Sequence, residues 1–77
     1  MAVIVKYFAA LREELGRSEE RIEHHDGLTV VSVWEQVAGG RVLEESVLTA
    51  VNLDYVGADY PVADGDEVAF FPPVTGG

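Results

Sequence analysis

The sequence contains no cysteine. That single absence excludes disulfide staples, thiolate nucleophiles, zinc knuckles and iron–sulfur clusters together, and leaves packing as the source of stability. Basic residues are nearly as scarce: Lys6, Arg12, Arg17, Arg21 and Arg41 are scattered against fourteen acidic residues, for a net charge of −9. Such a chain offers no footprint for phosphate backbones, so nucleic acid is not expected as a partner, whereas basic protein surfaces are favoured. No run approaches the roughly 20 apolar residues of a membrane helix, and the N-terminus has neither the basic start nor the apolar stretch of a signal peptide. A soluble, cytoplasmic protein with no membrane partner is expected. A second core is also ruled out, because a chain of this size buries only about 60% of the surface its unfolded form exposes. What is present suffices for one core: 48% of the 77 residues are hydrophobic and 25% charged, the balance of a globular domain and not of a disordered acidic tail.

Ala2-Val3-Ile4-Val5-Lys6-Tyr7-Phe8 is β-branched and aromatic and reads as an opening strand. Val3, Val5 and Tyr7 make its apolar face, whereas Ile4, Lys6 and Phe8 carry a charge in their middle and face partly outward. Residues 9–15 are good helix formers, and Gly16 stands where a left-handed cap ends a short helix. Residues 18–24 alternate weakly, as an edge strand does, and Asp26-Gly27 marks a turn. Thr29 caps the main helix, in which Val30, Val33, Trp34, Val37 and Ala38 follow the spacing of one buried face, and Gly39-Gly40 ends it. Residues 47–56 read as one strand interrupted by Asn52 and Asp54, and Tyr60-Pro61-Val62 as a brief extended piece that counts as a short strand in the order of elements. Asp64-Gly65-Asp66 is a turn, and Glu67-Val68-Ala69-Phe70-Phe71 is the last strand.

One amphipathic helix over a mixed sheet of four or five strands is a two-layer α+β domain. The small arrangement that fits, by analogy, is the ubiquitin-like β-grasp, with first and last strands side by side in the middle. The domain is expected over residues 1–73, with residues 74–77 as a flexible tail.

The candidate chemistry lies in that tail. Pro72 and Pro73 cannot donate to a ladder, so the sheet should stop there. At about 3.3–3.6 Å per residue, the last four residues reach on the order of 13 Å from the body, enough to enter another protein's active site. Gly76 and Gly77 lack Cβ atoms and can pass a narrow channel. No side-chain chemistry remains at the tip, which leaves the α-carboxylate of Gly77, ionised at neutral pH and a poor electrophile. It would need activation by a separate enzyme, most simply as an acyl adenylate formed from ATP. A sulfur nucleophile would then yield a thiocarboxylate, and the protein would be a carrier. The plainer alternative is a frayed end, since terminal residues are commonly disordered.

Tyr7-Phe8-Ala9-Ala10-Leu11-Arg12, Ala50-Val51-Asn52 and above all the closing stretch from Asp64 to Gly77 resemble the small, sulfur-carrying subunits of molybdopterin synthase. The resemblance covers essentially the whole chain, although the segment between Val37 and Val47 is shorter than in typical members. It implies that Gly77 is adenylated by a ubiquitin-activating-type enzyme at the expense of ATP, thiocarboxylated with sulfur from a donor, and inserted into the large synthase subunit. There the sulfur would pass to cyclic pyranopterin monophosphate, in a heterotetramer of two small and two large subunits. Closely related readings are a carrier for thiamine thiazole or tRNA thiolation, or a protein modifier joined to lysines through Gly-Gly. An interaction module with an inert end is the reading from a different class.

On these grounds Gly77 is the reacting terminus and Gly76 provides clearance behind it. Phe8, Tyr55 and Phe71, with Pro72, Pro73, Val74 and Thr75, are candidates for binding the partner; strand alternation requires only one of Phe70 and Phe71 in the core. No bound cofactor and no metal are expected. His24 and His25 are adjacent on a strand, point to opposite faces, and lack the further ligands of a metal shell. Glu13-Glu14, Glu19-Glu20 and Glu44-Glu45 read as solvated faces, and Trp34 as core. Asn52 braces either a turn or the tail.

Overall fold

The computed structural model of the chain describes residues 2–72. Within them, strands β1 (Ala2–Tyr7), β2 (Glu19–Glu23), β3 (Leu48–Val51), β4 (Asp54–Tyr55) and β5 (Glu67–Phe71) form one sheet. Its order is β2-β1-β5-β3-β4. The first and last strands lie side by side in parallel, and the other pairings are antiparallel. Helices α1 (Ala10–Leu15) and α2 (Val30–Val37) complete the α+β domain. This is the mixed, five-stranded β-grasp that the order of patterns implied.

Alternation decides which residues meet α2. Val3, Val5 and Tyr7 of β1, Val68 and Phe70 of β5, and Val51 of β3 are buried with Val30, Val33, Trp34 and Val37 of the helix. At about 1.5–3 kcal/mol for each fully buried aliphatic or aromatic side chain, this layer supplies most of the folding free energy of so small a chain. Thr29 caps α2 as its sequence position indicates, accepting from the Ser32 N–H at 3.3 Å. At the other end Gly39 takes a positive φ, and the Gly40 N–H returns to the Glu35 carbonyl at 3.0 Å, a Schellman stop.

Two expectations are corrected. Residues 47–56 are not one strand but a hairpin, because Asn52 and Leu53 both hold positive φ (50° and 73°) and turn the chain between β3 and β4. A two-residue turn with that pair of signs matches the twist of the flanking strands. Residues 60–62 are not a sheet strand: Pro61 makes an isolated bridge with Thr29. Their neighbourhood serves the helix instead, since Ala58 and Tyr60 carbonyls accept from the Val31 and Val30 N–H groups at 2.9 and 3.0 Å. Those donors have no partner within the helix and must be satisfied from outside it.

A partly exposed polar brace ties α2 to the β1–β2 edge. Tyr7 Oη donates to Glu20 Oε1 at 2.5 Å, and Arg17 Nε donates to the same carboxylate at 2.6 Å. The second arm of the Arg17 guanidinium donates to the Val37 carbonyl, at the open end of α2. Burial, reinforced by the Glu20 carboxylate, pushes the Tyr7 phenol above its usual pKa.

Candidate functional site

The end of β5 is where sheet geometry and the candidate tail meet. Phe70 faces α2, fully buried, with its ring 4.9 Å from that of Trp34. Phe71 therefore falls on the opposite, open face. The parallel pairing of β1 with β5 brings Phe8, the residue after β1, alongside it: the two rings stack with centroids 4.6 Å apart and planes 9° from parallel. Leu48 of β3 pairs directly with Phe71, and Tyr55 of β4 meets the Phe71 ring edge-on at 6.2 Å. Phe8, Leu48 and Tyr55 are 40%, 40% and 72% exposed. Three strands and the residue that follows β1 thus contribute one apolar residue each to a continuous exposed strip at the end of β5. Contiguous apolar surface on a small protein marks an interaction site more often than chance exposure does.

Phe8 owes its position to a strained residue. Ala9 stands at φ 52° and ψ −128°, outside the usual regions for a side chain with a Cβ, and turns the strand directly into α1. Such strain costs of order 1–3 kcal/mol and persists where the surroundings fix it. Here the Phe8 N–H donates to the Phe70 carbonyl at 3.2 Å, and the Ala9 carbonyl accepts from Arg12 at 3.1 Å. Nothing in the sequence at an alanine signals this turn.

Lys6, the only lysine, lies on the same open face, with Nζ 3.2 Å from Glu67 and 4.0 Å from Glu19. Beyond Tyr55, a cavity of about 350 Å³ bounded by Leu43, Val47, Leu48 and Val56 continues the strip around the β4 edge. A second cavity, of about 330 Å³, lies behind the exit between α1, α2 and the 41–47 segment, with Pro72 on its wall. Sequence reading missed it; its one signal is the alternation that sets Pro72 on the side opposite Phe71.

The structure thus brings Phe8, Tyr55 and Phe71 together, whereas Pro72 falls on the other side and lines the second cavity. Pro73, Val74, Thr75, Gly76 and Gly77 lie outside the described residues, and so does the assignment of residues 74–77 as a tail. Asn52 Nδ2 donates to Asp66 and its Oδ1 accepts from the Glu67 N–H, so it braces the turn into β5. His24 Nε2 lies 2.9 Å from the Val62 carbonyl and His25 Nδ1 3.2 Å from that of Asp26. Among the described residues, no group of three His, Cys, Asp or Glu could hold a metal ion, and no helix is long and apolar enough to cross a membrane.

A mixed sheet with parallel central first and last strands, one main helix across it and an apolar strip where the last strand ends defines a ubiquitin-like β-grasp domain. Residues 5–77 match the model of the ThiS family, and the chain belongs to that family. It is 42% identical to the molybdopterin synthase sulfur carrier subunit of Escherichia coli (strain K12), covering 95% of this chain and 96% of the relative. Among solved structures, SAMP1 from Haloferax volcanii, a small archaeal modifier protein, superposes with a TM-score of 0.86 at 26% identity over the whole of both chains. A chain from the complex of subunits 1 and 2 of the molybdopterin-converting factor from Helicobacter pylori 26695 superposes at 0.67, with 22% identity and full coverage of both, a likeness of fold alone.

Proposed function

We propose that the chain is a sulfur carrier, the small subunit of a molybdopterin synthase, with no catalytic centre of its own. The observation that carries this reading is the exposed Phe8, Phe71 and Tyr55 strip at the end of β5, the strand that Gly76-Gly77 follow in sequence. An interface there would hold the domain while the segment reaches into the partner. The E. coli relative bears the same function in its name. Its designation as a subunit supports a large synthase subunit as partner; the assembly we propose is a heterotetramer of two small and two large subunits.

In this reading a carboxylate oxygen of Gly77 attacks the α-phosphorus of ATP on a separate ubiquitin-activating-type enzyme, and pyrophosphate leaves. Sulfide released by a donor then attacks the acyl carbon and AMP departs, which leaves a C-terminal thiocarboxylate. Inside the large subunit that sulfur is transferred to cyclic pyranopterin monophosphate, and the carrier returns to the carboxylate with oxygen from water. Gly76 gives the reacting group room. Pro72, Pro73, Val74 and Thr75 line the segment's path into the partner, and ATP acts on the activating enzyme only. A cytoplasmic setting accords with the ATP requirement.

Intact mass of the chain after incubation with ATP, activating enzyme and sulfur donor tests the proposal. A species heavier by sulfur minus oxygen, mapped to Gly77, that converts cyclic pyranopterin monophosphate with the large subunit is expected. Unmodified carboxylate with a demonstrably active enzyme overturns it. The structural neighbour named as a modifier supports a second reading, attachment to lysines through Gly77. It predicts isopeptide-linked adducts in the same experiment, whereas a thiamine or tRNA carrier predicts the thiocarboxylate but no conversion of the pterin.

A further inference from the structure

Leu53 is held in a backbone conformation that its side chain resists, and the fold does not compensate for it. It stands at φ 73° in the two-residue turn between β3 and β4, where both residues take positive φ. Such a turn favours asparagine, aspartate or glycine. Asn52 meets that preference, and its amide is tied to Asp66 and Glu67. Leu53 does not meet it, because its Cβ crowds the following carbonyl and its aliphatic side chain has no polar atom with which to bond the local backbone. Burial gives nothing back either: at 86% exposure, Leu53 is the most exposed large apolar side chain among the described residues.

Its place in the sheet suggests what the strain is kept for. Leu53 precedes by two residues Tyr55, whose ring meets Phe71 edge-on and is itself largely exposed. The strip of Phe8, Phe71, Leu48 and Tyr55 therefore continues through the hairpin to its tip. The pairs Ala50–Tyr55 and Val51–Asp54 and the Asn52 brace hold that tip in one conformation. A side chain presented on so firm a support loses little freedom when it enters a partner. Strained residues without a structural role cluster at sites of function. Asp54, next to Leu53, is exposed and has no ion-pair partner among the described residues. On a chain of net charge −9 it favours a basic group opposite.

We propose that Leu53 is an anchor of the partner interface, carrying the aromatic strip around the tip of the β3–β4 hairpin into an apolar pocket of the large synthase subunit, with a basic side chain of that subunit facing Asp54. The identity of the partner rests on the carrier reading. The turn then gives up folding stability for a contact made only in the complex.

Calorimetric titration of the full chain with the large synthase subunit, beside a thermal melt of each variant, tests the proposal. Leu53→Gly is expected to raise Tm and yet weaken binding about tenfold, the loss typical of an interface anchor. A purely structural role does not move the two in opposite directions. Leu53→Met keeps an apolar side chain in the same turn and should hold Kd within about twofold. Asp54→Asn should reduce the fall of affinity with added salt. Unchanged affinity in Leu53→Gly beside weakened binding in Phe71→Ala leaves the strip as the interface and overturns the anchor. Unchanged affinity in both overturns the strip and the anchor together, and a parent chain that does not bind the large subunit overturns the carrier reading and this inference with it. An unaltered salt dependence in Asp54→Asn overturns the basic neighbour.

Discussion

The Phe8 ring lies flat on that of Phe71, 4.6 Å between centroids, and so joins the end of the first strand to the end of the last on the face that α2 leaves open. An offset stack of this kind contributes about 0.5–1.5 kcal/mol beyond the area it buries. It therefore helps the fold while most of its value as an apolar surface remains unused.

Phe71→Ala should separate these roles. Loss of a half-exposed ring lowers folding stability by about 1 kcal/mol, or roughly 4–8 °C in Tm for a domain this size. If the strip is the centre of the interface, the same change weakens binding to the large synthase subunit by at least 2 kcal/mol, about 30-fold in Kd. Calorimetric titration beside a thermal melt decides it. A collapse in Tm with unchanged affinity per folded molecule would assign Phe71 to the core.

The Asn52 side chain spans β3 and the turn before β5, donating to Asp66 at 2.9 Å and accepting from Glu67 at 3.1 Å, while Asp66 in turn accepts from the Ala63 N–H. Asn52→Ala loses both bonds and keeps a left-handed conformation that alanine resists, for a loss of about 2 kcal/mol. Asn52→Gly should lose less, since only the bonds go. Leu53 is also left-handed and is 86% exposed; Leu53→Gly relieves the strain and should stabilise by about 0.5–1 kcal/mol after the entropy cost of glycine. Denaturant midpoints of the three variants give the order directly, and a destabilised Leu53→Gly would contradict the account of the turn.

The same hairpin shows where sequence reasoning ended. Spacing placed Val30, Val33, Trp34, Val37 and Ala38 on one buried face, and all five are buried. It assigned Val3, Val5 and Tyr7 to the core side of β1 and left one of Phe70 and Phe71 for the open face, because period-two and period-3.6 patterns carry burial in themselves. The β3–β4 turn was invisible because Leu53 is no turn residue, and its φ is imposed by pairing on both sides. Ala9 hides for the same reason. The contact of Phe8 with Phe71 depends on strand order, which no local pattern encodes. The cavity that Trp34 and Pro72 line depends on how separate segments close around one ring.

Net charge gives a prediction that contacts do not. With −9 over 77 residues, self-repulsion acts against the compact state. The ion pairs Lys6–Glu67, Arg17–Glu20 and Arg41–Glu14 are solvent-accessible and contribute little that salt could remove. Raising ionic strength from about 0.01 to 0.1 M shortens the screening length from ~30 to ~10 Å, so Tm should rise and then level. Association with a basic partner surface should slow over the same range. A Tm that falls with sodium chloride would mean that the surface pairs outweigh the repulsion.

Alkaline pH should act through Tyr7. Burial, then the hydrogen bond to Glu20, raise its pKa in the folded chain above the ordinary value of about 10. Below that value the phenol is protonated in both states and contributes nothing to pH dependence. Above it the unfolded chain releases the proton while the folded chain retains it, so the unfolded state binds fewer protons and stability falls as pH rises. Tyr7→Phe removes the titrating group and the donor to Glu20 together. The variant should therefore be less stable than the parent at neutral pH, because the Glu20 and Arg17 brace to Val37 is loosened, yet lose less stability between neutral pH and pH values above about 10. Urea midpoints measured across that range for both chains test the crossing trend, and parallel pH profiles would remove Tyr7 from the account.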